Sequence, residues 1–210
     1  MQIDKVIINT QQLVQVDNVF GSLLPNYKKS VTINFTDGKV NDARWGNEPK
    51  ITEGLTKPSG VNVDDASNTC TGSILIDLSQ ILSQSVSPAG RIGKQRFAAK
   101  LSSKTFRYKT VVVIVHELMH VHQGWQLGKG FARALLDEKI AATARAKANL
   151  AENPDSGDSA YMQNNFEQGA RDFASRWSDA NADDVHAGKF DFLLPMITMR
   201  GIFPDEAKPF

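Results

Sequence analysis

Apolar and polar residues are distributed differently in the two halves of the chain. In the first half the apolar positions come in short runs divided by turn-forming residues. Residues 5–8 and 31–35 (VTINF) have the β-branched character of strands, and Asp37-Gly38 follows the second run as a turn signal. Residues 41–72 are rich in Asn, Gly, Pro, Asp and Thr and read as long loops, with a short strand at 61–63. Residues 72–78 (GSILIDL) form the strongest strand signal. Residues 79–87 suit a short helix or turn, which Pro88-Ala89-Gly90 breaks.

The second half has helical periodicity. Residues 106–126 predict one helix despite their valines, because β-branched residues cost only a few tenths of a kcal/mol each and burial overrides that. An alanine-rich helix is predicted over 131–152, stopped by Asn153-Pro154. Asp158 or Ser159 can cap a third helix running to about residue 180. Its apolar positions Phe166, Ala170, Phe173, Ala174 and Trp177 keep the three-and-four spacing of one face. No internal repeat or linker interrupts the 210 residues. The pattern predicts a single α+β domain over 1–210, with a strand-rich N-terminal half packed on a helical C-terminal half.

Composition narrows the class. A hydrophobic fraction of 41% supports a core, and no apolar run approaches the roughly 18 residues of a membrane span. A lone cysteine, Cys70, rules out an internal disulfide, and the first residues lack the pattern of a signal peptide. The expected location is therefore the cytoplasm, or the exterior by a route without a classical signal peptide, with no membrane partner. Net charge is +1, so the total charge names no partner. Its distribution is uneven: residues 91–109 hold seven Lys and Arg and no acid, while 152–191 hold nine carboxylates against three basic residues. Two solvated faces that attract each other account for this. The sharper alternative is a basic surface, at 91–109, for nucleic acid or an acidic substrate.

Polar chemistry enters where the apolar pattern is strongest. The run VVVIV leads directly into His116-Glu117-Leu118-Met119-His120. On a helix the two histidines lie one turn apart on one face and can ligate one metal ion, while Glu117 projects beside them toward a bound water. Zn²⁺ lowers the pKa of such a water to about 7, and the glutamate can take its proton as the water attacks a carbonyl. Chance produces this HExxH pattern on the order of once in a few hundred chains of this size. A buried helix whose histidines merely bond to carbonyls is the competing explanation, but two His and a Glu in one apolar helix are costly to satisfy that way.

A catalytic zinc takes three protein ligands. The positions where metzincins carry Gly and His beyond the second histidine hold Gln123 and Gln126, and His122 faces another side of the helix. His186, in what reads as a loop, and a carboxylate on a later helix, Glu138 or Glu167, remain. Glu167 interrupts the apolar face of its helix within Asn165-Phe166-Glu167-Gln168-Gly169-Ala170-Arg171-Asp172-Phe173-Ala174. This run, with Ala three residues after the Glu and Phe-Ala at six and seven, resembles the E-x-x-A-x-x-F-A segment of small bacterial gluzincins. The resemblance covers roughly residues 108–177. It implies a zincin-like fold, a zinc peptidase activity on protein or peptide substrates, and Glu167 as the third ligand beside His116 and His120. Thermolysin-like gluzincins carry an Asp four residues after that Glu; here Arg171 stands there and Asp172 follows.

Stabilising an oxyanion calls for a donor beyond the metal, and Tyr161, His186, Tyr108 and Arg171 are candidates, the first two preferred. Trp125 is expected in the core, and Cys70 as an inert thiol. In zincins an edge strand often lines the cleft and pairs with extended substrate; the run 72–78 is the candidate for it. Three other functions fit the same residues: cleavage of peptidoglycan peptide cross-links by a secreted antibacterial effector, a degenerate zincin serving as a metal-binding or toxin-like module, and a protease associated with nucleic acid through the basic segment.

Overall fold

The computed structural model of the protein describes residues 2–36, 40–42, 50–81, 103–152 and 160–195. The strands are β1 (Gln2–Asn9), β2 (Lys28–Thr36), β3 (Val40–Asp42), β4 (Lys50–Thr52), β5 (Gly54–Thr56), β6 (Asn62–Asp64) and β7 (Thr69–Asp77). The helices are α1 (Thr10–Val16), α2 (Asn18–Ser22), α3 (Ser103–Leu127), α4 (Phe131–Glu152) and α5 (Asn165–His186), with 3-10 turns between some of them. The protein is therefore α+β, with its sheet in the N-terminal half and its long helices in the C-terminal half.

The main sheet runs β1-β2-β7-β5, with β6 also paired to β7. β1 is antiparallel to β2, β2 is parallel to β7, and β5 and β6 lie antiparallel along different stretches of the far side of β7. Alternation gives the sheet one covered face: Val31, Ile33 and Phe35 of β2 and Cys70, Ile74 and Ile76 of β7 are buried. Asn34 and Ser73 hydrogen-bond on the opposite face. β3 and β4 form a separate two-stranded ribbon.

α3 lies on the covered face. Its valine run is helical because Val111, Ile114, Val115, Leu118, Val121 and Trp125 are all buried, and packing outweighs their β-preference. Gly72 allows the close approach: a Cβ there would sit 2.5 Å from Val121 Cγ1. Trp125 is a core residue, as expected, and its indole donates to the Thr71 carbonyl at 2.9 Å. α5 packs on α3, and the Trp177 indole donates to the Val16 carbonyl at the end of α1 at 2.7 Å. One apolar cluster thus draws residues from Ile8 to Leu193. α4 contributes little to burial, with Phe131, Ala142 and Ala146 inside and Leu136 and Ile140 exposed.

Several expectations need correction. The stretch read as loops contains β5, whose apolar content is too short to stand out. α1 and α2 were not foreseen, although Asn9 and Gln12 form a capping box at the start of α1. α5 begins at Asn165 rather than 158 or 159, because the Asn164 side chain accepts from the Glu167 N–H and caps it there. It continues to His186, so that residue ends a helix and is not in a loop. Residues 72–77 of that run belong to β7, which ends at Asp77 and is paired on both sides, so it is not an edge; β5 is the strand at that edge. Asp37-Gly38 and most of 79–90 fall outside the described residues, as do residues 91–102 of the basic segment. At its described end the two charged stretches meet, Arg107 Nε donating to Asp191 in the acidic segment at 2.7 Å. Among the described residues no helix is long and apolar enough to cross a membrane.

Candidate metal centre

The site lies where α3 meets α5. On α3, His116 and His120 stand one turn apart with their Nε2 atoms 3.1 Å from each other. Glu167, in the first turn of α5, brings Oε2 to 3.5 Å from His116 Nε2 and 3.4 Å from His120 Nε2. These three side chains therefore lie close enough to hold a metal ion, with their ligand atoms all within 4.8 Å of one another. Small residues bring the helices together: Ala170 and Ala174, one and two turns past Glu167, are buried.

Polar ties aim each member. Gln123 Nε2 donates to the Phe166 carbonyl at 3.1 Å, which turns Gln123 Oε1 toward His120 Nδ1 at 2.8 Å. An amide oxygen can only accept, so His120 Nδ1 carries a proton, and in the neutral ring this leaves the Nε2 lone pair toward the centre. Gln123 thus orients a histidine and links α3 to α5 in one step. Asn164 caps α5 at the Glu167 N–H, and Glu138 Oε1 accepts from the Asn165 N–H at 2.8 Å while pairing with Arg145. Glu138 is thereby occupied at the helix start and is not part of the cluster. A carboxylate in the first turn of a helix also faces the positive end of its dipole.

Glu117 is buried and held from the sheet. Thr56 Oγ1, on β5, donates to Glu117 Oε2 at 2.7 Å. Gly54 makes this approach feasible: a Cβ there would meet Glu117 Cγ at 2.7 Å, Glu117 Oε1 at 2.8 Å and Val113 Cγ1 at 3.0 Å.

A cleft of about 450 Å³ opens over the cluster. Glu53, Gly54, Val112, Val113, His116 and Glu117 line one side, and Tyr161, Glu167, Arg171, Ala174, Ser175 and Ser178 the other. A smaller recess of about 260 Å³, walled by Pro58, Ala132, Leu135, Leu136 and Lys139, shares Glu167 with it. Within the protein alone, burial pushes the Glu167 carboxyl upward, but hydrogen bonds and charge from His116 and His120 outweigh it and leave it well below the ordinary carboxylate range. Burial draws His120 downward, and Glu167 more than reverses that, so its pKa is raised. The Tyr161 phenol is pushed up to about 12, first by burial and then by the Glu167 charge, and stays protonated at neutral pH. Burial raises the Glu53 carboxyl, against the pull of Lys109 and His116.

Of the residues the sequence nominated, the structure brings together His116, His120, Glu117, Glu167, Tyr161 and Arg171. It does not bring in His186. That residue is nineteen positions beyond Glu167, about 28 Å along a helix, and its ring stacks on Tyr108 at 5.3 Å. The expectation of His186 as a ligand or oxyanion donor is corrected by that separation. Tyr108 spends its hydroxyl on the Ser178 carbonyl at 3.4 Å. His122 points away from the site and meets Phe20 edge-on at 5.9 Å. Cys70 is wholly buried, as an inert thiol would be. Glu53, Gly54 and Thr56 were missed because they lie in the stretch read as loop. Gln123 was noted only as a missing glycine, though its place three residues past His120 puts it within reach on a helix.

Comparison of the chain with protein-family models, with curated proteins and with solved structures finds no match.

Proposed function

We propose that the protein is a zincin-like, zinc-dependent metallopeptidase of gluzincin type, with His116, His120 and Glu167 as ligands. The observation that carries this reading is the size of the ligand triangle. Four ligands at 2.0–2.1 Å in a tetrahedron lie about 3.3–3.4 Å apart. The three edges here are 3.1, 3.4 and 3.5 Å. Two imidazoles and one carboxylate also leave a fourth position for water, as a catalytic zinc requires. Zinc bound there supplies a Lewis acid that makes water nucleophilic near neutral pH and polarises a peptide carbonyl.

The chain's own residues do the rest. Glu117, fixed by Thr56, takes the proton of the attacking water and returns it to the departing amine. Tyr161, still protonated, donates a hydrogen bond to the oxygen on which negative charge develops. β5 offers an extended substrate a strand to pair with, in place of the run 72–78.

The test is a pair of variants. His116→Ala should lose the zinc found by elemental analysis of the wild type. Glu117→Gln should keep its zinc while cleavage of a mixed peptide pool falls by about 10²- to 10⁴-fold. Equal zinc in His116→Ala and wild type, or undiminished cleavage by Glu117→Gln, rejects the assignment.

A further inference from the structure

We infer that Arg171 is the anchor for a carboxylate of the substrate, so that the cleft selects peptides bearing an acidic group a short distance from the bond that is cut. This rests on the peptidase reading for the kind of molecule that enters the cleft. Arg171 sits one turn beyond Glu167 on α5 and lines the same cleft. Its guanidinium lies 5.0 Å over the Tyr161 ring, and Nη2 donates to the Met162 carbonyl at 3.1 Å. Arg171 also donates a hydrogen bond to the Tyr161 hydroxyl, and these contacts, none of them with a carboxylate, hold the fork in place without neutralising it. Nη1 is buried and has no acceptor among the described residues. No carboxylate of the described residues forms an ion pair with Arg171, whereas Arg107, Arg133 and Arg145 each have one.

An arginine is always charged, with five donors in a planar fork. Leaving such a group partly buried without a counter-charge is costly, and a carboxylate is the group it matches best. The rest of this cleft wall is uncharged past Arg171: Ala174, Ser175 and Ser178 carry no competing acid or base. The floor also continues beyond the arginine, since Ser178 lies about 10 Å further along the helix. A cleft closed behind its anchor would suit a chain terminus; this one leaves room for chain on the far side, which favours an acidic side chain.

The test needs binding as well as turnover. Acetylated and amidated octapeptides of Ala and Leu carry one Glu, walked through every position, each paired with its Gln counterpart. The Gln series is repeated with a free C-terminal carboxylate. Dissociation constants and kcat/KM are measured for zinc-loaded wild type, Arg171→Ala and Arg171→Gln, the last keeping length and polarity if the alanine variant folds poorly. In the wild type one register should favour Glu over Gln by about tenfold or more, at the lower edge of what a charged hydrogen bond contributes. That ratio should fall to near one in both variants. A preference confined to the free C-terminus makes the anchored group the chain end and keeps the anchor. Equal binding of Glu, Gln and free-terminus peptides to wild type, no binding included, overturns it. So does a preference that survives in the variants, or a uniform loss of kcat on all peptides with binding unchanged, which would make Arg171 an oxyanion donor. Tight Arg171-dependent binding without cleavage rejects the peptidase reading and leaves the anchor; cleavage without preference does the reverse.

Discussion

The two walls of the cleft are built differently. On the β5 side, Glu117 is gripped by close contact: Thr56 bonds to it, and Gly54 approaches so closely that a single added carbon would collide. On the α5 side, Glu167 is placed by a few directional ties, the Asn164 cap, the Glu138 bond to Asn165 and the Gln123 bridge. The first wall is a matter of sterics, the second of polar geometry. On the first wall close backbone contact backs up the single Thr56 bond; on the second, hydrogen bonds alone set the position.

The largest effect should come from crowding the tight wall. Gly54→Val places a branched side chain where even a Cβ would sit 2.7 Å from Glu117 Cγ. We expect a cost of about 3 kcal/mol or more in stability, because overpacking forces backbone shifts. Denaturant unfolding measures it, and a change below about 1 kcal/mol would show that the wall yields.

Cutting the bridge on the other wall should act on metal more than on folding. Gln123→Leu removes the acceptor for His120 Nδ1 and the donor to Phe166. Zinc affinity should fall about 10- to 100-fold, the usual effect of losing a residue that orients a ligand. Competition with a chelator of known affinity gives the number; unchanged affinity means that the helix packing alone aims the histidine.

The smallest effect is a pH dependence that separates the polar wall from the steric one. In the metal-free protein, the depressed Glu167 carboxyl contributes stability above its unfolded pKa of about 4.3 and loses it as pH falls through its lower folded value. The raised His120 contributes stability below its unfolded pKa of about 6.5 and loses it as pH rises through its higher folded value. Zinc needs the neutral imidazole, so binding gains as the metal-free protein weakens. The stabilisation on adding zinc, read as the rise in Tm, should grow from about pH 6 to about pH 8, its free energy by at most ~1.4 kcal/mol per pH unit for one proton. Melts with and without zinc across that range check it, and a constant increment counts against coupling between Glu167 and His120.

The sequence by itself determined the parts that depend on local spacing. Histidines four apart on an apolar run share one helical face whatever surrounds them, so His116 and His120 as a pair, with Glu117 beside them, were legible before any fold was known. The apolar stripe around Ala170 and Ala174 likewise marked the inner face of α5, and the run 72–78 was legible as a strand. Tertiary structure decided what depends on distance through space. That β7 is paired on both sides, and that β5 is the edge beside Glu117, follows from register between segments far apart in the chain, which no local pattern encodes. The three residues of β5 owe their place to pairing with β7 and to contact with α3, not to propensity. His186 was misplaced for the opposite reason: a histidine near an acidic segment has no spacing that reveals it, and only the length of α5 carries it to the far end of that helix, away from the site. Gln123 shows both at once. Its reach to His120 is written in a three-residue spacing, but its bond to Phe166 exists only because two helices cross there, and that crossing turns a surface-type amide into the link that aims the site.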